Sequence, residues 1–373
     1  MATMGKAASS ATSGAAVAAA ISSGRRQNGT LLIRIATLLF IAIVAMQSLY
    51  AAGIVPFGFG NWQPILIGFA IWGLALCFGN ILRSGEGGWR ALFVLPAVLF
   101  TLALVIFPTF FGLYIALTDW NLSSATGRQF NGLANFYQLI ADPYFWNALG
   151  NMVFYVLTVL VQYAIAFALA LLLNADIRGR KFFRVAFLLP FMLSPVAVSW
   201  MIGKSMLEYR YGPVSRLLRL LGWENPSLLT SPWLAKTTIA AMDAWVWIPF
   251  MMILLLAGLQ ALSKEVQEAA KVDGATGWQG FWQITFPLML PVSVTTIVLR
   301  IIFQLKLADI VINTTSGGPG GATDTISSFI FREYKDRSNV GYGTMIAEVY
   351  LILIIIFIAL LLWSTSRFMQ RKT

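Results

Sequence analysis

The chain has 373 residues, 58% of them hydrophobic and 11% charged, with a formal net charge of +11, one cysteine and no histidine. Soluble domains carry about 45–50% apolar and about 25% charged residues, so this composition calls for lipid as its solvent. A lone Cys77 excludes an internal disulfide, and the lack of histidine excludes a histidine-based triad, zinc site or proton relay.

Residues 1–30 are rich in Ala, Ser and Gly and end near Arg25 and Arg26, the composition of a disordered cytoplasmic tail. The apolar run that follows is too long for a signal-peptide core and lacks a clear cleavage site. Eight stretches match the ~20 apolar residues that a bilayer core demands. They are 31–52, 63–82, 91–117, 147–173, 183–205, 237–260, 288–312 and 342–365. The run Ser84-Gly85-Glu86-Gly87-Gly88 predicts a flexible hinge after the first two spans. The chain therefore reads as a tail (1–30), two added helices (31–90) and a six-span core (91–373). With the N-terminus inside, fifteen of the 26 Lys and Arg fall in inner segments, nine in outer ones and two in spans. That bias puts both termini and residues 262–286 in the cytoplasm. It also accounts for the net charge without nucleic-acid binding.

The most informative segment lies between spans six and seven. Residues 268–291 read EAAKVDGATGWQGFWQITFPLMLP. Residues 263–272 are mostly helix formers, and Asp273-Gly274 breaks the helix because Gly reaches left-handed backbone angles at little cost. Thr276 then caps a second helix, with Gln279 three residues on as in a capping box. Two short helices around a glycine turn make a compact water-exposed knob, which Ala269 and Ala270 keep narrow.

This segment resembles the EAA loop of permeases of ABC importers, whose pattern runs roughly E-A-A-x-x-D-G-A-x(5)-F-x-x-I-x-L-P. Glu268, Ala269, Ala270, Asp273, Gly274, Ala275, Phe281, Ile284 and Pro287 match it. Phe286 replaces the usual Leu, and Ser263 stands where sugar permeases often carry Pro. Residues 91–373 resemble the carbohydrate-type permeases over nearly their whole length. The carrying segments are LPAVLFTLALVIFPTFFGLYIALTDWN, FNGLANFYQLIADPYFWNALGN and INTTSGGPGGATDT. The last of these, a flexible turn when read by itself, matches that family's outer loop after the penultimate span. Spans one and two resemble the extra N-terminal helices of the larger permease subunit of maltose importers.

The resemblance implies an all-α integral membrane protein with a type I ABC-importer core and a coupling loop at 262–291. It implies that Glu268, Ala269, Ala270, Asp273, Gly274 and Ala275 seat in a cleft of a cytoplasmic ATPase. It implies import of a sugar, polyol or sugar derivative across a bacterial inner membrane by alternating access. The implied partners are a second permease of different sequence, two ATPase subunits and a periplasmic binding protein. No G-x(4)-G-K-[ST] run is present. ATP and Mg therefore belong to the ATPase, and this chain needs no cofactor, metal or catalytic residue of its own.

Ionisable side chains deep in a span cost about 2.5–3.5 kcal/mol on insertion scales, so each needs a partner or a task. Span six carries Asp243 near Trp245, Trp247 and Phe250; span seven carries Arg300, Gln304, Lys306 and Asp309; span eight carries Glu348. Helical period places Arg300, Gln304 and Leu307 on one side. One reading is internal pairing, Lys306 with Asp309 or Arg300 with Glu348. The other is a sugar site, since carbohydrates are bound by planar polar groups and aromatic faces. By the resemblance that site comprises Asp243, Trp247, Phe250, Arg300, Phe303, Gln304 and Leu307. Trp245 and Trp247 also fit an interfacial aromatic belt. The rival class is an ion-coupled secondary transporter, for which Asp309 and Glu348 are the relevant carboxylates. An intramembrane enzyme lacks the histidine or clustered carboxylates it needs.

Overall fold

The computed structural model describes residues 2–51, 54–84, 86–125 and 127–370. Among them the regular structure is helical, with two isolated β-bridges, Thr118 to Phe130 and Asn121 to Asn339. Lipid offers the backbone no hydrogen bonds, so apolar runs of this length satisfy themselves as helices.

The chain divides into two compact units, 1–111 and 112–373. The division falls inside the third span, not at residue 90. In the first unit, α1 (Ala2–Ala51) and α2 (Gln63–Ser84) form an antiparallel hairpin. The stretch expected to be disordered is helical from Ala2 on: alanine, its commonest residue, is the best helix former. Gln47 closes the hairpin, its amide bonding both Phe59 N (2.9 Å) and Phe59 O (3.1 Å). The expected glycine hinge shrinks: Ser84 ends α2 and Glu86 starts α3 (Glu86–Thr101), and residue 85 lies outside the described residues. Gly87 and Gly88 are taken into the first turn of α3, where each costs only about 1 kcal/mol of helix propensity. A π-helical turn (Leu102–Ile106) leads into α4 (Phe107–Ala116), and together they complete the third span, Leu92–Ala116.

In the second unit, α5 (Ala134–Ala141) precedes α6 (Pro143–Asn174). Phe145, Ala148, Met152, Tyr155, Val159, Gln162, Ala166, Ala170 and Leu173 recur every three or four residues along α6 and are all buried. That stripe packs against α10, and the core it starts extends to α13, α15 and α16. The fifth span is not straight. α7 (Arg180–Met192) and the stretch Pro195–Met206, made of α8 (Pro195–Val198) and a π-helical turn, are bent by 93°. Pro195 pushes Ser194 out of the helical region (ψ 144°), and the Ser194 hydroxyl accepts from Ala197 N at 3.2 Å to start α8. Among the described residues, seven helices are therefore long and apolar enough to cross a membrane, or eight if the bent pair counts as one span.

α9 (Pro213–Leu220) follows, then α10 (Pro232–Ala261), α11 (Lys264–Val272), α12 (Gly277–Gln279), a π-helical turn (Gly280–Thr285) and α13 (Phe286–Gln304). The seventh span ends at Gln304, well short of the expected residue 312, because side chains behind it satisfy the freed carbonyls. Tyr350 Oη donates to Leu305 O (2.7 Å), and Thr325 Oγ1 donates to Leu307 O (2.5 Å). Beyond the break come α14 (Asp309–Thr314), α15 (Ile326–Lys335) and α16 (Val340–Gln370).

Candidate functional site

The loop between α10 and α13 is built locally. Gly274 adopts φ +79°, the left-handed angle that ends α11. Asp273 N donates to Ala269 O (2.9 Å) and Ala275 N to Ala270 O (3.0 Å), so the last carbonyls of α11 are satisfied. The Thr276 hydroxyl accepts from Gln279 N (3.3 Å), and Gln279 Oε1 accepts from Thr276 N (2.9 Å), completing a capping box. One expectation changes: the second helix is not a separate short element. It runs through the π-helical turn into α13, so the loop is the end of a span. Phe281 fixes that end, lying edge-on to Phe167 of α6 (5.7 Å) and near Phe286 (6.0 Å).

Glu268, Ala269, Asp273 and Gly274 are exposed, whereas Ala270 and Ala275 are half-buried. Two neighbours not singled out from sequence stand furthest out: Val272 is 87% exposed and Trp278 73%. Large apolar side chains at the tip of a polar loop are the signature of a docking surface. The signal was present in the alternation of Val272 and Trp278 with Asp273, Gly274 and Gly277.

The second cluster lies inside the membrane, where α6, α10 and α13 meet. Arg300 and Asp243 form an ion pair, the guanidinium entirely inaccessible to solvent. Arg300 Nε also donates to Gln162 Oε1 at 2.9 Å, and Gln162 Nε2 approaches Asp243 Oδ2 at 3.4 Å. Gln162 is a partner that sequence reasoning passed over; its signal was an amide near the middle of an apolar span. The pairing of Arg300 with Glu348 is corrected: Glu348 sits beside Gly112, where an added Cβ would collide with its carboxylate. The pairing of Lys306 with Asp309 is corrected too. The helix ends at Gln304, before either of them, both are exposed, and neither enters an ion pair among the described residues.

Above the ion pair sits an aromatic box. The Arg300 guanidinium lies 5.1 Å from the Trp247 ring centre, and Trp247 stacks on Phe303 at 4.7 Å and 23°. Phe250 meets Phe303 edge-on at 5.8 Å, and Phe191 of α7 closes the box against Trp247 and Phe250. Phe303 remains 38% exposed, while Gln304 and Leu307 are buried. Arg300 Nη1 lacks a hydrogen-bond partner among the described residues, and the Gln304 amide, close to the Asp243 carboxylate, makes no hydrogen bond of good geometry among them. Asp243, Trp247, Phe250, Arg300, Phe303 and Gln304 thus come together, and Leu307 falls past the break, in the apolar cluster around Tyr155 and Ile239.

The glycine-rich segment 315–325 is anchored, not loose. Asn147 and Asn151 of α6 both donate to Gly321 O (2.7 and 3.0 Å), and Asn151 also donates to Asp324 O (2.9 Å). Asp324 pairs with Arg332 and accepts from the Ser328 hydroxyl at 2.6 Å. Burial pushes its carboxyl above the usual carboxylate range, against the pull of Ser328 and Arg332.

Residues 75–370 match the family of binding-protein-dependent transport system inner membrane components. The trehalose/maltose transport system permease protein MalF of Thermococcus litoralis is 32% identical, over 74% of this chain and 93% of its own. The lactose transport system permease protein LacF of Rhizobium radiobacter is 35% identical (72% and 90%), and the sn-glycerol-3-phosphate permease protein UgpA of Agrobacterium fabrum 32% (75% and 94%). A chain of a bacterial alginate ABC transporter, solved with an alginate pentasaccharide-bound periplasmic protein, shares the fold: TM-score 0.65, 22% identity, 75% of this chain and 96% of that one. With most of its length inside the family model, this chain belongs to the binding-protein-dependent transport system inner membrane components and is a multi-pass permease subunit of an ABC importer.

Proposed function

We propose that the chain moves a neutral sugar, polyol or sugar derivative across the inner membrane by alternating access. Family membership excludes the ion-coupled secondary carrier weighed from sequence. The observation that carries the substrate class is the box of Trp247, Phe250 and Phe303 over the buried Arg300–Asp243 pair. Aromatic faces cover the apolar side of a sugar ring, and the unmet Arg300 Nη1 and Gln304 amide offer donors and an acceptor to hydroxyls. Asp243 balances the arginine within the protein, so the site does not call for a charged ligand. Relatives named for trehalose/maltose and lactose transport support this class.

In the same reading, Glu268, Ala269, Ala270, Asp273, Gly274 and Ala275 dock on one of two cytoplasmic ATPases, which hold ATP and Mg. A second permease of different sequence and a periplasmic binding protein complete the importer. ATP-driven closure of the ATPases moves the loop, and Phe281 passes that movement to α6 and α13. The expected test uses the assembled complex in vesicles with a panel of labelled disaccharides and polyols. Trp247→Ala should cut uptake of the transported sugar at least about tenfold at low concentration, with basal ATP hydrolysis retained. Uptake within about twofold of wild type would remove Trp247 from the site, and a wild type that carries no sugar or polyol would remove the class.

Both termini are proposed to be cytoplasmic. In a Cys77→Ala background, Ser316→Cys should react with an impermeant thiol reagent from outside intact cells, and Gly277→Cys only after permeabilisation. Both positions are exposed, so labelling reads sidedness. The opposite pattern reverses the orientation.

A further inference from the structure

The two added helices carry an arginine cleft that the transport cycle leaves unexplained. Arg26, Thr30 and Arg34 recur at four-residue spacing, which places them on one face of α1. Arg83 closes the face from the last turn of α2, and Arg26 Nε donates to its carbonyl at 3.3 Å. The two helices touch through Gly29 and Gly79: a Cβ on Gly29 would lie 2.6 Å from Gly79 O. Beside that contact opens a cavity of about 770 Å³ lined by Arg26, Thr30, Leu31, Arg34 and Arg83.

Three guanidiniums converge there, and none of them enters an ion pair among the described residues. Residues 1–85 contain no Asp or Glu, and the side chain of the first carboxylate, Glu86, lies outside the described ones. Arg34 lies two turns further along α1 than Arg26, exposed at the start of the apolar run, where a counter-charge favours it. Cavities of about 300–1,000 Å³ hold molecules far larger than inorganic phosphate. Along the flank of that arginine face α1 presents Leu31, Ile35 and Leu38, exposed by 60%, 49% and 67%. An anion cradle beside an apolar track matches a headgroup beside its acyl chains.

We propose that this cleft binds the headgroup of a di-anionic phospholipid, with its chains along Leu31, Ile35 and Leu38. Basic pockets between membrane helices select such lipids by pairing arginines with both phosphates. The lipid supplies the missing counter-charge for Arg34 and anchors the helix pair to one leaflet.

The test is native mass spectrometry and titration of the full-length permease complex in neutral detergent, with cardiolipin as probe. Wild type should hold cardiolipin at this cleft saturably, phosphatidylcholine should not compete, and millimolar phosphate or pyrophosphate should not displace it. The triple variant Arg26→Gln, Arg34→Gln, Arg83→Gln should raise Kd on the order of 100-fold. Should that variant not accumulate, the single variant Arg34→Gln takes its place, and a rise in Kd on the order of tenfold is expected. Unchanged cardiolipin affinity in either variant would overturn the site. Equal binding of phosphatidylcholine would overturn its charge selectivity, and displacement by free phosphate would make it a soluble-anion site.

Discussion

Gly274→Asp should abolish ATP-driven uptake while leaving the permease inserted and folded. Gly274 holds φ +79°, yet no atom lies within 4 Å of where a Cβ would stand. Asp visits left-handed angles more readily than most residues, so the backbone strain is about 1 kcal/mol and the loop still closes. The new carboxylate then projects from the knob beside Asp273, between the exposed Val272 and Trp278. In a groove that must desolvate this tip, a buried unpaired charge costs several kcal/mol. Uptake should therefore fall by about 100-fold or more, and the ATPase should be lost on purification. The quantities to measure are uptake in vesicles and the ATPase-to-permease ratio after affinity capture. Normal uptake with a full complement of ATPase would remove this loop from the coupling interface.

The loop around Gly274 was legible in the sequence because its structure is local. A left-handed glycine and a Thr–Gln capping box are each decided within a single helical turn. The same is true of the break in span five, which Pro195 announces, although apolar length alone hid it. What local rules cannot supply is where a helix stops when distant side chains stop it. The helix past Gln304 ends where Tyr350 and Thr325 take up its carbonyls. The Lys306–Asp309 pairing assumed an unbroken helix and fails for that reason.

Register between helices is the other gap. Helical period places Arg300 and Gln304 together on α13, and both are buried. Period says nothing of which residue on another helix lies opposite. Asp243 and Gln162 emerge as partners only once α6, α10 and α13 pack. The glycine-rich segment 315–325 reads as loose by composition, and it is made firm by Asn147 and Asn151 of α6 and Arg332 of α15.

That register can be put to a direct test. Arg300→Ala should lower the yield of assembled complex sharply, because it leaves the Asp243 carboxylate in the apolar interior with no cation beside it. Breaking a buried pair from one side costs about 3–5 kcal/mol, a large share of the stability of most domains. Asp243→Asn should restore much of the complex when combined with Arg300→Gln, since the neutral amides keep hydrogen bonds with Gln162 and no charge is left stranded. Glu348→Ala combined with Arg300→Ala should restore nothing, because Glu348 lies beside Gly112 and not beside the guanidinium. Rescue by Glu348→Ala instead would refute the packing of α10 on α13. Uptake then separates the two roles of the pair. If Arg300 Nη1 reaches substrate, the complex restored by Asp243→Asn with Arg300→Gln should hydrolyse ATP yet carry sugar at least about tenfold more slowly. Full transport by that double variant would leave the pair a structural tie alone, and would shift substrate recognition to Trp247, Phe303 and the face they present.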